Sequence, residues 1–108
     1  MSSSDFEAVA DRTLQAILAR LEERLGDHLE ADLRGGILTI ELADGRSYVI
    51  NKHGPNRQIW LSSPISGAAH FDWHADSGEW RSTRGGATLL AHLAQELTAA
   101  TGTEIGFG

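Results

Sequence analysis

Residues 58–62, Gln58-Ile59-Trp60-Leu61-Ser62, alternate between polar and aliphatic positions in a way that assigns the two faces of a strand. Successive side chains of a strand point to opposite faces, so Ile59 and Leu61 share one face. This aliphatic pair belongs to the core, which leaves Trp60 among polar neighbours on a face that a small domain usually gives to water. An exposed tryptophan is typical of an anchor for a partner protein. The alternative is that a helix or loop covers this face and buries Trp60.

Other segments with a period of two lie on both sides of this strand, and turn residues separate them. Gly35-Gly36 and Asp44-Gly45 have the composition of hairpin turns. The segments begin at Leu29, Ile37, Tyr48, Gln58, Ala69 and Glu79. Six strands joined by short turns, over residues of about 29–82, predict an antiparallel meander.

Helical periodicity flanks the strands. Ser4 and Glu7 form a capping-box pattern at the start of a predicted helix over about 4–25, which Gly26 ends. A second helix is predicted over about 87–101 and ends at Gly102, followed by a short tail. Two helices can pack on one sheet face and leave the other to solvent. The fold class is therefore α+β: a two-layer sandwich with two helices on one face of an antiparallel sheet of about six strands, in a single domain over residues 1–108.

The composition limits the classes of function. The net charge is −6, and residues 1–44 hold all of the excess, with ten acidic residues against four arginines. This distribution argues against nucleic acid as a partner and favours cations or a basic protein surface. The 108 residues include no cysteine, which excludes disulfides and thiolate metal sites and fits a cytoplasmic location. No apolar run predicts a membrane span, and the first residues do not resemble a secretory signal.

Acidic residues of the first helix and the strand after it are candidate metal ligands. They are Asp11, Glu22, Glu23, Asp27, Glu30 and Asp32. Asp11 and Glu22 are separated by only about 20° around the helix axis. Carboxylates without imidazole or thiolate suit hard cations, including iron, but open surface acids bind them weakly. The alternative is a solvated helix face. Against that alternative, Glu23 and Asp27 repel each other near the helix C-terminus, where the dipole also disfavours anions.

A second candidate metal site is the set of His70, Asp72 and His74, which alternate on one strand face. Two imidazoles and a carboxylate suit a transition metal, but no fourth ligand is evident and His74 is expected to enter a turn. The alternative is a polar outer face beside Trp60. Motifs of known catalytic centres are absent: there is no Walker loop, no Gly-x-Ser-x-Gly, no His-Glu-x-x-His and no cysteine nucleophile.

The run YVINKHGPNRQIWLSSP at residues 48–64, followed by HFDW at residues 70–73, resembles the signature of the frataxin family. The acidic first helix and the leucine-rich second helix extend the resemblance from about Asp5 to Thr101. Two positions depart from the mitochondrial pattern: His53 stands where that pattern has Gln, and His70 where it has Arg. The second departure is similar to the bacterial branch. The resemblance implies the same two-layer fold, with the face that carries Trp60 left open.

The resemblance also implies a function. In frataxins the acidic ridge of the first helix and first strand binds iron. The resemblance therefore implies that the six acids named above bind iron weakly. It implies no organic cofactor. It implies contacts with a cysteine desulfurase and the iron–sulfur scaffold protein through the sheet. The expected contact residues are Asn51, Lys52, Asn56, Gln58, Trp60 and His70.

The expected function is therefore that of an iron donor or regulator in iron–sulfur cluster assembly, in a monomer that forms oligomers with iron. Two alternatives stay open. One is a ferroxidase that detoxifies iron, an activity sometimes attributed to frataxins; it is disfavoured because open carboxylates lack a fixed inner shell. The other is an interaction module with no metal role.

Overall fold

The computed structural model describes residues 2–107 and contains two helices and six strands. The elements in chain order are α1 (Ser3–Leu25), β1 (Leu29–Arg34), β2 (Ile37–Leu42), β3 (Ser47–His53), β4 (Gln58–Ser63), β5 (Gly67–His74), β6 (Glu79–Ser82) and α2 (Leu89–Thr101). The six strands form one antiparallel sheet in chain order, β1 to β6. The predicted α+β sandwich and its meander are confirmed.

Both helices lie on the same face of the sheet. The inward positions of the strands, such as Ile40, Ile50, Leu61 and Phe71, are buried together with the apolar stripes of the helices. In β4 this puts Ile59 and Leu61 in the core and Trp60 on the opposite face, as the alternation predicts. We call the face that neither helix covers the open face. Neither helix is long and apolar enough to cross a membrane, for the part of the chain described.

Helix α1 begins one residue earlier than expected, because its cap is Ser2 and not Ser4. The Ser2 Oγ accepts a hydrogen bond of 3.1 Å from the backbone N–H of Asp5. The predicted capping box of Ser4 and Glu7 is therefore wrong, since a run of three serines offered several possible caps. Glu7 instead contacts Lys52 of β3.

Helix α2 begins at Leu89, because Thr88 is its N-cap and accepts a hydrogen bond from the backbone N–H of Ala91. The helix ends at Gly102, whose φ of 73° lies in the left-handed region that glycine occupies without strain. The chain then turns back across α1, where the Arg20 Nε donates to the carbonyl oxygen of Gly106 at 2.7 Å. Buried Ile105 fixes this C-terminal segment between the helices.

A partly buried polar network joins α2 to the sheet. The Glu96 carboxylate accepts hydrogen bonds from the Tyr48 hydroxyl at 2.9 Å and from Ser63 and Ser66 at 2.6 Å each. It also lies 2.6 Å from the Nε2 of His92, one turn earlier on α2. Burial alone would raise the pKa of Glu96, but the hydrogen bonds from the three hydroxyl groups outweigh it and hold this pKa below its usual value.

The same network makes Tyr48 hard to ionise. Its side chain is 0% exposed, and burial together with the adjacent Glu96 carboxylate raises the pKa of Tyr48 to about 12. Because Tyr48 is the single tyrosine, phenolate absorbance reports it alone. We expect the folded protein to titrate near pH 12 and the urea-unfolded chain near pH 10. Folding stability should fall as the pH rises from about 10 towards 12. A folded-state midpoint near 10 would contradict this environment.

Candidate functional site

The open face carries a line of side chains that crosses five strands, which we call the tryptophan row. Strand register aligns Arg34 with Ile37, Ile37 with Asn51, Asn51 with Trp60, and Trp60 with His70. Ile37 is 48% exposed, one of two large hydrophobic side chains so exposed among residues 2–107. The row therefore combines an aliphatic residue, an amide, an indole and an imidazole on one accessible surface.

Trp60 is held between two imidazole rings. Its ring lies 3.7 Å from that of His53, with 9° between the planes, and 4.2 Å from that of His70, with 8° between the planes. The rings cover both sides of the indole, so Trp60 is half-buried and not as exposed as the alternation suggested. The two histidines that cover the indole belong to the neighbouring strands β3 and β5.

A chain of amide hydrogen bonds fixes the edge of the same indole. The Trp60 Nε1 donates to the Gln58 Oε1 at 2.9 Å, and the Gln58 Nε2 donates to the Asp72 Oδ1 at 3.0 Å. Asp72 lies opposite Arg81 of β6. Trp60 is thus preorganised, which lowers the entropy that a partner's binding would cost.

Two of the expected contact residues lie away from this row. Lys52 points to the helix side, where its ammonium group contacts the carboxylates of Glu7 and Asp11, the latter at 2.9 Å. These hydrogen bonds, Glu7 first, raise the pKa of Lys52. Lys52 therefore does not belong to the open face, because it is an even number of residues from buried Ile50. Asn56 lies in the turn between β3 and β4, where its backbone N–H donates to the His53 Nδ1 at 3.3 Å.

The six candidate acids divide among three places. Glu22, Glu23 and Asp27 are exposed at the C-terminal end of α1. Glu30 and Asp32 lie on the open face of the edge strand β1, where Asp32 forms an exposed ion pair of 2.9 Å with Arg34. Asp11 lies eleven residues before Glu22, hence about 16 Å away along the helix, and is occupied by Lys52. The angle between Asp11 and Glu22 was correct, but their separation along the axis keeps them apart.

Glu41 is an acid that the sequence reasoning did not select as a ligand. It lies directly opposite Glu30 across the β1–β2 ladder, and both are exposed. Like charges placed directly opposite each other destabilise a sheet. The alternation of β2 could have revealed the position of Glu41. Leu38 and Ile40 point inward, so Glu41 points outward.

The acids form no compact metal cage. Within residues 2–107, no three His, Asp or Glu side chains converge closely enough to hold a metal ion. This includes His70, Asp72 and His74: the first stacks on Trp60, the second accepts a hydrogen bond from Gln58, and the third ends β5. What the acidic surface offers a cation is single carboxylates or pairs that would leave most of its water shell in place.

A frataxin-like family model matches residues 1–103 of this chain. The chain belongs to the frataxin-like family. It is 37% identical over 107 residues to the iron–sulfur cluster assembly protein CyaY of Thioalkalivibrio sulfidiphilus, covering 97% of this chain and 98% of that protein. It is 36% identical over 110 residues to mitochondrial frataxin of Arabidopsis thaliana, covering 97% of this chain. The chain spans only 58% of the length of that plant relative.

Solved frataxin structures have the same fold. Frataxin from Psychromonas ingrahamii superposes with a TM-score of 0.89 at 28% identity, over 100% of this chain and 99% of that one. Trimeric frataxin from Saccharomyces cerevisiae, complexed with ferrous iron, gives a TM-score of 0.73 at 39% identity, over 87% of this chain and 86% of that one.

Proposed function

We propose that this protein binds iron weakly at its acidic surface and supports iron–sulfur cluster assembly by contacting a cysteine desulfurase and its scaffold protein through the open face. The observation that carries the proposal is the tryptophan row, in which Trp60 is preorganised on a sheet face that neither helix covers. A relative that matches over nearly its whole length is named as an iron–sulfur cluster assembly protein.

The contact residues proposed on the open face are Asn51, Gln58, Trp60 and His70, joined by His53 and Ile37. A central aromatic anchor within a polar rim is the arrangement in which a few residues supply most of the binding energy. Asn56 stays at the margin of this surface, and Lys52 contributes indirectly, by fixing α1 to β3 through Glu7 and Asp11.

The iron proposal rests on charge and ligand type. Glu22, Glu23, Asp27, Glu30 and Asp32 are exposed carboxylates, and with Glu41 they gather much of the chain's excess negative charge at α1, β1 and β2. Such oxygen ligands suit iron but bind it with low affinity. A related yeast frataxin is known in complex with ferrous iron. We place the protein in the cytoplasm, since a cysteine-free composition fits a reducing compartment, and expect iron to promote oligomers.

We expect a ferrous-iron titration followed by NMR to broaden resonances first at Glu22, Glu23, Asp27 and the β1 acids. Paramagnetic broadening is local, so it maps the site directly. Changing Glu22, Glu23 and Asp27 to the matching amides should remove most of the effect on α1. The same variant should gain a little thermal stability, because it relieves repulsion among neighbouring carboxylates.

Asp76 and Glu79 provide the control, since both are exposed acids of the β5–β6 hairpin, at the opposite edge of the sheet from β1. Their conversion to amides should leave the broadening pattern unchanged. Broadening confined to His70 and His74 would move the proposed iron site to β5. If the triple amide variant loses iron but binds the desulfurase and scaffold as before, the protein is an adapter whose metal and partner surfaces act independently.

A further inference from the structure

A groove with a volume of about 620 Å³ separates α1 from α2 on the helix side of the sheet. Its floor is formed by Trp73 and Trp80, whose rings lie 5.2 Å apart. Its walls are mainly aliphatic, and Phe107 of the C-terminal segment also lines it. The groove is on the side of the sheet opposite to Trp60, so it is a different site from the proposed partner surface.

The groove follows from small residues at facing positions of the two helices. Ala16 of α1 and Ala91 and Ala94 of α2 line it, and none of them is large enough to fill the space. A hydrogen bond of 2.9 Å from the Trp80 Nε1 to the Thr13 Oγ1 fixes the orientation of the Trp80 ring in the floor. The hydrogen bond from Arg20 to the Gly106 carbonyl fixes the C-terminal segment that carries Phe107. Hydrogen bonds therefore fix two parts of the groove lining, the floor and the C-terminal segment.

Charge at the rim selects the kind of ligand. Arg12 of α1 lines the groove and is exposed, and no carboxylate of residues 2–107 forms an ion pair with it. Asp5 lines the adjoining depression beside Arg12, and Glu79 at the rim is paired with Arg81 at 3.5 Å. Thr88, the N-cap of α2, also lines the groove, so the N-terminus of this helix adds a partial positive charge. An anionic group fits here.

We propose that this groove binds a small amphiphilic anion, with an aliphatic or aromatic body against the two tryptophans and a carboxylate or sulfonate beside Arg12. The volume lies in the range of small-molecule sites, roughly 300–1,000 Å³, and the lining is mostly apolar with few polar groups, as in such sites. A partner helix fits less well, because Gly106 and Phe107 of the C-terminal segment already line the groove between the helices. The proposal does not depend on the proposed role in cluster assembly.

The probes are anilinonaphthalene sulfonate and decanoate, added to the folded protein at neutral pH. Wild type should enhance the dye's fluorescence, and decanoate should displace the dye. Ala94→Phe fills the groove and should abolish binding, whereas the matched variant Ala99→Phe, on an exposed position of the same helix, should bind as wild type does. Arg12→Gln should weaken both probes about three- to fivefold, as expected for one exposed charge pair. Urea denaturation of each variant establishes that it is folded.

Several results would overturn the proposal. They are the absence of dye binding by wild type, equal binding by Ala94→Phe and Ala99→Phe, and displacement by decanol as effective as by decanoate. If Arg12→Gln binds both probes as tightly as wild type does, the claim that Arg12 holds an anionic group is wrong. A molecular mass that rises with protein concentration and returns to the monomer value in Ala94→Phe would assign the groove to a second copy of the chain instead.

Discussion

Replacing Trp60 by alanine is expected to weaken association with the desulfurase and scaffold about thirtyfold, a loss of about 2 kcal/mol. The indole is the largest side chain of the tryptophan row, and it is fixed by His53, His70 and Gln58 before any partner arrives. Isothermal titration with the assembly proteins measures the loss. Ile37→Ala should cost less, about 1 kcal/mol, because it removes a smaller contact from the same row.

The stability of the same variant separates a surface anchor from a core residue. Trp60→Ala loses two stacking contacts, so we expect a cost of about 1–2 kcal/mol in unfolding free energy. Trp80→Ala is the control, since Trp80 is 3% exposed and donates to Thr13. It should cost about 3–5 kcal/mol. If Trp60→Ala were as destabilising as Trp80→Ala and kept full partner affinity, the open face would not be the partner surface.

The fold was predictable from the sequence because periodicity and turn chemistry agreed along the chain. The two-residue period of each strand determined which side chains point inward, and Gly35, Gly36 and Gly45 supply the positive φ angles that their turns need. Element ends were less certain. Three consecutive serines offered several caps for α1, and the choice of Ser2 depends on the geometry of the first turn.

The candidate site was predictable in part. Alternation assigned Trp60, Gln58 and His70 to one face correctly, but it carries no information on how a ring is oriented. The stacking of His53 on Trp60 depends on strand register and side-chain rotamers, which place a diagonal neighbour of β3 over the indole. Lys52 lies on the helix side and not beside Trp60, because neighbouring residues of a strand alternate between faces.

The Glu96 network could not be predicted from local sequence patterns. Tyr48, Ser63 and Ser66 come from the sheet and its loops, and Glu96 and His92 from α2, so their meeting is a tertiary event with no local pattern. It also resembles a hydrolytic triad in composition only. Both Ser66 and Glu96 contact the Nε2 of His92, whereas a triad needs the carboxylate on the other ring nitrogen.

Replacing Glu96 by alanine should lower the unfolding free energy by about 3 kcal/mol. The Tyr48 hydroxyl would lose its carboxylate acceptor in a residue that is 0% exposed, and a weakly paired buried donor costs about 1–3 kcal/mol before the lost bonds to Ser63 and Ser66 are counted. Gln95→Ala, at an exposed position beside it, is the control and should change stability little. Urea denaturation at neutral pH measures both.

The unfolding free energy lost in Glu96→Ala should depend on pH and on the Tyr48 hydroxyl. Because hydrogen bonding lowers the pKa of Glu96 in the folded protein, its contribution is complete above its unfolded value of about 4.3 and disappears as the pH falls through the folded value. Glu96→Gln should lack that acid-dependent part. Tyr48→Phe removes the stranded donor, so combining it with Glu96→Ala should cost less than the sum of the two single changes. Strict additivity between them would show that the two groups do not act through the hydrogen bond that joins them.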